Sequence, residues 1–171
     1  MDSSPAGFAL DAEAVFRGKA MRVTGRLRLE GASGQLTHRY LLSDGAGAPV
    51  LIEQAEDRHA LLRPFPPAAE PQVTGNVIAV GKERYTLVGV RRLKVLEALG
   101  QVPGAAPGAT LLLSGMFEGP AGTLMRELVP GSGRQVYYLV KSLAAGDLLS
   151  AAAHAAVREA ARRAAGEPDD D

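Results

Sequence analysis

The chain has 171 residues, of which 46% are apolar and 22% are charged, a composition that suffices for the hydrophobic core of one domain and argues against disorder throughout. Lysine and arginine together number 19, as do aspartate and glutamate, so overall charge does not draw the protein to nucleic acid or to an acidic membrane. Cysteine is absent, which excludes disulfides, thiolate nucleophiles and thiolate metal sites.

The amino-terminal segment has no basic cluster followed by an apolar run, which is the pattern of a secretory signal. No stretch approaches the roughly 20 apolar residues of a membrane-spanning helix. We therefore expect a cytoplasmic protein.

The first predicted strand has the clearest pattern in the chain. Between residues 19 and 30, apolar and polar side chains alternate, and a period of two is that of a β-strand with one buried face. The polar face would present three arginines in a row to solvent. The apolar face consists of Met21, Val23, Leu27 and Leu29, and the arginines are Arg22, Arg26 and Arg28.

Further stretches have the composition of strands and are flanked by turn residues. Glycine-rich turns separate most of them, and such short links favour antiparallel neighbours. Together they predict an antiparallel β-barrel or β-sandwich of about seven or eight strands. The predicted strands span residues 15–29, 36–43, 49–54, 72–79, 84–96, 110–117, 123–129 and 134–140.

Two proline-rich stretches interrupt the predicted strands. Residues 63–71 contain four prolines, each of which removes a backbone donor and fixes φ, so we expect a stiff surface connection. Residues 100–109 are rich in proline and glycine and form either a linker between two lobes or a long loop in one barrel. We favour the loop, because the three strands after it would have little to cover their apolar face.

The carboxyl-terminal part is rich in alanine and predicts one α-helix. Asp147 would cap a helix that starts at Leu148. A stripe of small apolar residues would dock this helix on the sheet, and dimerisation through the helix is the alternative. The domain organisation is thus an antiparallel β domain over residues 1–142, a docked helix over 143–166 and an acidic tail over 167–171. The stripe consists of Leu149, Ala152, Ala153, Ala156, Val157 and Ala160.

Motifs for catalysis or metal binding are weak. Tyr137 and Lys141 have the Tyr-x-x-x-Lys spacing of short-chain dehydrogenases, but no glycine-rich dinucleotide fingerprint accompanies them. His59 follows a run of acidic residues that could hold a metal ion, but an exposed turn explains the run better. We therefore expect no enzyme activity, no cofactor and no metal.

Two groups of arginines are the candidate binding residues. If their strands are neighbours, they could bind phosphates of nucleic acid, an acidic lipid headgroup or an acidic protein. Oligonucleotide-binding barrels add exposed stacking aromatics, whereas Tyr40 and Tyr85 lie among aliphatic residues, as core residues do. A solvated arginine face, balanced by glutamates on neighbouring strands, is the alternative. The candidate residues are Arg17, Arg22, Arg26, Arg28, Arg91 and Arg92.

Several segments of the first half resemble, in their order, the elements of a bacterial domain-of-unknown-function family numbered 4178. The resemblance covers about residues 10–95 and implies a small bacterial β domain without established catalytic residues, encoded among genes for membrane proteins and polyamine-type transferases. No site residue is carried over from such a family. The segments are 16–19 running into 22–25, then 39–42, 44–45, 50–53 and 85–87.

The sequence therefore predicts a non-enzymatic bacterial β domain that acts as a protein-interaction or scaffold module. Its partner would be another protein, which includes the case of a membrane-associated one. The alternative function is an oligonucleotide- or anion-binding barrel that uses the arginine-lined strand face. A homodimer through the carboxyl-terminal helix also stays open.

Overall fold

The computed structural model describes residues 8–56, 58–65, 70–100, 102, 110–133 and 135–166. These residues form one sheet of twelve strands, paired antiparallel throughout, and one helix. The strands are β1 (Glu13–Phe16), β2 (Lys19–Glu30), β3 (Leu36–Ser43), β4 (Val50–Ala55), β5 (Arg58–Pro64), β6 (Gln72–Thr74), β7 (Val77–Val80), β8 (Glu83–Gly100), β9 (Leu111–Gly119), β10 (Gly122–Leu128), β11 (Gln135–Ser142) and β12 (Leu148–Ser150), and the helix is α1 (Ala151–Ala164).

Eight of the strands close into a barrel. The order is β2, β3, β4, β5, β11, β10, β9 and β8, and β8 pairs back with β2. The predicted class, a mainly β protein with a barrel and a carboxyl-terminal helix, is confirmed. The short strands β1 and β12 extend the sheet from the start of β2, and β7 and β6 extend it from the start of β8.

A β-bulge in β2 changes the face to which its side chains point. Cross-strand partners share a face; Val23 pairs with Leu42, but Gly25 pairs with the next residue, Leu41. The extra residue is Thr24, and it turns the strand over. The predicted single apolar face is therefore wrong: Met21 and Val23 pack outside the barrel, whereas Leu27 and Leu29 pack inside it.

A second bulge, at Val88, has the same effect in β8. Leu87 pairs with Phe117 on the outer surface, and Gly89 pairs with Met116, which faces the interior. Bulges of this kind increase local twist and allow a sheet to curl into a barrel. As a result β8 can contact β7 and β9 along its first part and close on β2 along its last part.

The apolar core has an inner and an outer part. Inside the barrel lie two clusters, formed chiefly by Leu27, Leu29, Leu93 and Leu112, and by Leu51, Leu62, Met125 and Tyr138. Outside it, Val23, Tyr40, Leu42 and Ile52 are covered by β1, β12 and the amino-terminal segment. The β6–β7 hairpin covers a second outer cluster that contains Tyr85 and Phe117. Both tyrosines predicted to be core residues, Tyr40 and Tyr85, are buried.

The proline-rich stretches differ from the predictions in part. Arg58–Pro64 is a barrel strand, β5, and Pro64 is tolerated because it is the last residue of that strand. Of the rest of the expected stiff connection, residues 65, 70 and 71 belong to no strand, and residues 66–69 lie outside the described residues. Residues 101 and 103–109 also lie outside them. The strands before and after that gap, β8 and β9, are neighbours in one barrel, so the stretch does not separate two lobes.

The carboxyl-terminal helix begins later than predicted and is more exposed. Ser150 is its N-cap, since the Ala153 N–H donates to Ser150 Oγ at 3.1 Å. Asp147 instead accepts from the Ala144 N–H in the preceding turn. The helix buries none of its residues, and Val157 is 57% exposed. The helix adjoins β12 and β1 at its start, and docking of its apolar stripe stays a prediction. Among the described residues, no helix combines the length and apolar character needed to cross a membrane.

Candidate functional site

The two strands that carry the basic residues are neighbours, because β2 pairs with β8. This meets the condition for a shared binding surface. Arg26 and Arg28 lie together on the outer surface, half-buried, opposite Tyr40 and His38 of β3. On the other side, β8 places Glu97 directly opposite Arg28. Part of the arginine charge on this face is therefore balanced by a neighbouring carboxylate, as the solvated-face alternative requires.

The predicted row of three arginines on β2 is wrong. Because Thr24 is a bulge residue, Arg22 lies on the opposite side of the strand from Arg26 and Arg28. Arg17 is further removed, in the turn between β1 and β2 with φ at 49°, where its guanidinium lies 5.1 Å from the ring centre of Phe16.

The remaining two candidates, Arg91 and Arg92, are adjacent on β8 and point to opposite faces. Arg91 pairs with Ser114 on the inner side of the barrel, and Arg92 pairs with Leu113 on the outer side. The six arginines of the prediction are thus distributed over a turn, both sides of β2 and both sides of β8. They do not form one binding surface.

A network of charged side chains occupies the barrel interior. Arg39 on β3 donates from Nη1 and Nη2 to the two carboxylate oxygens of Glu127 on β10, at 2.5 and 2.6 Å, and from Nε to Glu53 Oε2 on β4 at 2.9 Å. Arg91 donates to Glu53 Oε1 at 3.1 Å and to Ser114 Oγ at 3.3 Å. Arg39 is fully buried. The network therefore joins opposite walls of the barrel.

Burial and neighbouring charge act in opposite directions in this network. Burial by itself would lower the pKa of Arg39, but Glu127 and Glu53 outweigh it and raise that pKa. Burial would likewise raise the pKa of Glu53, but the guanidinium groups of Arg39 and Arg91 outweigh it and lower that pKa. Both groups stay charged at neutral pH, because each is paired with charge of the other sign.

The sequence patterns do not predict such a role for Arg39, Glu53 or Glu127. Arg39 stands two residues from Thr37 and from Leu41 and shares their inward direction. A charged residue at a position that points into the barrel would have indicated the network. Such a position can be recognised only when it is known which face of each strand points inward. Local spacing cannot supply it, because Arg39 and Glu127 are 88 positions apart.

His38 lies on the outer surface beside the two half-buried arginines. Its ring stacks on Tyr40, with centres 6.1 Å apart and planes inclined by 6°. Burial lowers the pKa of His38, and the positive charges of Arg26 and Arg28 lower it further, while Glu97 opposes them. The neutral imidazole is therefore favoured in the folded protein.

Mild acid is accordingly expected to destabilise the protein through His38. In the unfolded chain the imidazole has a pKa near 6.5, so its contribution to stability is complete above that pH and is lost as pH falls toward the lower folded pKa. Urea unfolding between about pH 7.5 and about pH 5 measures the loss. The variant His38→Gln should have a flatter profile than the wild type. Parallel profiles for wild type and His38→Gln would contradict the assignment.

A groove of about 230 Å³ lies on the outer surface of β8, β9 and β10, beside the Gly75–Asn76 turn. We call it the β8–β10 groove. Cross-strand pairing places one set of side chains on its face: Val90, Gly115 and Arg126 form one row, and Arg92, Leu113 and Leu128 form the next.

The β8–β10 groove combines apolar exposure with positive charge. Val90, which lines the groove, is 66% exposed. Val88, the bulge residue two positions before it, is 59% exposed. Arg126 is held in place, since its Nε and Nη2 donate to Gln135 Oε1 at 3.2 and 3.0 Å. The next residue, Glu127, points to the opposite face and lies inside the barrel, where it is bound by Arg39.

Comparison of the chain with family models, with curated proteins and with solved structures finds no match. The resemblance to the bacterial family of unknown function therefore stays a prediction. Within the part of the chain that the structure describes, no group of three or more histidine, cysteine, aspartate or glutamate side chains could hold a metal ion. Asp57, one of the acidic residues before His59, lies outside that part.

Proposed function

We propose that this protein is a non-catalytic interaction module that binds an extended segment of another protein in the β8–β10 groove. The bound segment would place an aliphatic side chain beside Val90 and acidic side chains beside Arg92 and Arg126. The observation that carries the proposal is the exposed Val90 at a groove that Arg126 also lines, with Arg92 in the next row of the same face.

Exposed apolar surface supports this choice of face. Single exposed apolar residues are ordinary on protein surfaces, but apolar residues grouped around a groove are typical of binding sites. Val90 borders the groove together with the half-buried Leu113 and Leu128. Gly115 lies at the same level between the Val90 and Arg126 positions, and the Phe117 ring packs beside it, 3.0 Å from where a Cβ would lie.

Charge supports an acidic partner. The outward positions of the two paired rows carry Arg92 and Arg126 and no acidic residue. An acidic segment would therefore meet complementary charge without competition from carboxylates in those rows. The arginines of β2 are less favoured as the contact surface, because the bulge at Thr24 divides them and Glu97 faces Arg28.

Selection of binders from a displayed library of random peptides tests the proposal. We expect the selected peptides to combine Leu, Ile or Val with Asp or Glu. Fluorescence anisotropy should then show that Val90→Asp weakens binding of a selected peptide by about tenfold or more, because an aliphatic anchor and two acidic groups meet a new negative charge. Arg126→Glu should weaken it to a similar extent.

Two matched variants serve as controls. Val157 on α1 is exposed almost as much as Val88, so Val157→Asp introduces the same charge on a different surface and should leave peptide binding unchanged. Arg84→Glu reverses an exposed charge of β8 that does not line the groove. Loss of binding in Val157→Asp but not in Val90→Asp would assign the contact to the helix. Selected peptides without acidic residues would overturn the proposal.

A further inference from the structure

One end of the barrel opens into a cavity of about 350 Å³, which we call the barrel mouth. Its lining includes Thr37, Ala55, Arg91 and Leu93, all of which point inward. Thr37 shows this directly, since it pairs with the interior residue Leu29 and with Ala55. Barrel mouths are common places for small-molecule sites, and this volume falls in the range of such sites.

The barrel mouth is bounded by positive charge. Arg58 and Arg92 lie at its rim and Arg91 at its inner wall, whereas Glu56 is the one acidic residue among the described residues that line it. The side chain of Arg91 is 31% exposed. Its guanidinium is held from behind, because Glu53 Oε1 and Ser114 Oγ accept from its two Nη groups.

The donors of Arg91 are not all used by the protein. Its Nε is buried and has no hydrogen-bond partner among the described residues, and buried polar groups without partners are rare in folded proteins. Meanwhile Arg39 supplies Glu53 with a second cation. The charges of the network balance, because Arg39 also pairs with Glu127. A further anion at the mouth would therefore be attracted mainly by the rim arginines, Arg58 and Arg92, and would find the Arg91 guanidinium already fixed in orientation.

We infer that the barrel mouth is a binding site for a small organic carboxylate, bound by Arg91. The carboxylate accepts from Arg91, whose side chain lines the cavity and is 31% exposed, and lies within reach of the rim charges. The apolar part of the ligand packs on Leu36, Val90 and Leu93, which line the same cavity. Inorganic phosphate would leave this apolar wall uncovered, so the cavity favours a carboxylate with a short hydrocarbon or aromatic body.

Titration of the full-length, ¹⁵N-labelled protein with sodium hexanoate and sodium benzoate tests the inference by NMR. We expect saturable shifts of the Thr37, Arg58 and Arg91 amide resonances with at least one of the two probes, and no shift of Val157. Hexan-1-ol lacks the carboxylate and inorganic phosphate lacks the apolar body. Each should bind at least about tenfold more weakly than the better carboxylate.

Two variants locate the site. Arg91→Gln removes the charge that binds the carboxylate, and Arg39 still donates to Glu53 in that variant. Ala55→Leu fills the mouth from a different strand without altering any charge. Both should weaken the better probe about tenfold or more, while Arg84→Gln should not. Any of three results would overturn the inference. These are the absence of saturable shifts with both carboxylates, equal binding of hexan-1-ol or phosphate, and undiminished binding by Arg91→Gln.

The test is separate from that of the β8–β10 groove. Val90 borders both cavities, but Arg91 and Ala55 do not line the groove and Arg126 does not line the mouth. We expect Arg126→Glu to bind the carboxylate normally and Ala55→Leu to lose this binding. Together these results would show that the small-molecule site is independent of peptide binding.

Discussion

Replacement of Arg39 by methionine is expected to lower the free energy of unfolding by about 3–5 kcal/mol. The guanidinium of Arg39 makes three hydrogen bonds to two carboxylates, and Glu127 has a side chain that is only 1% exposed. Methionine fills a similar volume but leaves Glu127 without its cation in a dry interior. An uncompensated buried charge is among the most destabilising changes that a protein core can undergo.

The double variant Arg39→Met/Glu127→Leu separates charge from packing. It removes both partners of the buried pair, and such replacements by apolar residues are often neutral or stabilising. We therefore expect it to recover most of the stability that Arg39→Met loses. Glu53 keeps Arg91 as its partner in both variants.

Urea denaturation of the wild type and both variants measures these differences. Arg84→Met, at an exposed position of β8, controls for the loss of one arginine and should be close to neutral. If the double variant were as unstable as Arg39→Met, the loss would come from altered packing and not from an unpaired carboxylate. If Arg39→Met itself were neutral, the network would contribute nothing to stability.

Gly100→Ala is the second change expected to have a large effect, about 2–6 kcal/mol. Gly100 pairs with Gly25 where β8 closes on β2, and its φ is 66°, a conformation that alanine adopts only with strain. A Cβ at this position would overlap the carbonyl oxygen of Thr24 and lie 3.1 Å from Gly25 Cα. The two strands would have to separate at the seam of the barrel.

Gly89→Ala is the matched control for Gly100→Ala. Gly89 belongs to the same strand, has no positive φ, and would meet nothing within 4 Å of an added Cβ. We expect it to be neutral or slightly stabilising, because alanine restricts the unfolded chain. Hydrogen exchange should show faster opening of the β2–β8 amides in Gly100→Ala alone. Equal stabilities of the two variants would contradict the close approach of the strands.

The presence of antiparallel strands could be predicted from the sequence. Alternation between residues 19 and 30 and the glycine-rich turns indicated antiparallel strands, and the barrel follows that class. The sequence did not show which side chains of each strand point into the barrel. A bulge consists of one extra residue and depends on the partner strand. The bulge at Thr24 therefore places Arg22 on the other side of β2 from the rest of the predicted row. The bulge at Val88 leaves Val88 and Val90 exposed, which the sequence periodicity does not predict.

Long-range closure accounts for the other differences. Arg39 reaches Glu127 only because β3 and β10 face each other across the barrel, and neither residue is unusual in its own segment. The strand Arg58–Pro64 was hidden by the prolines that follow it. Its neighbours are β4 and β11, and the second of these lies far along the chain. The interior network and both cavities depend on this closure, so local patterns could not place them.

The pairing of β5 with β11 also sets a schedule for synthesis on the ribosome. Pro64 lies opposite Tyr138, which follows it by 74 positions. At ordinary translation speeds the earlier strand waits roughly 4–15 s for its partner. During that interval β5 lacks the β11 strand with which it pairs, and no closed barrel encloses Arg39. Nascent chains on neighbouring ribosomes meet at such unpaired strands, so the order of strands makes slow emergence of the second half a hazard for aggregation.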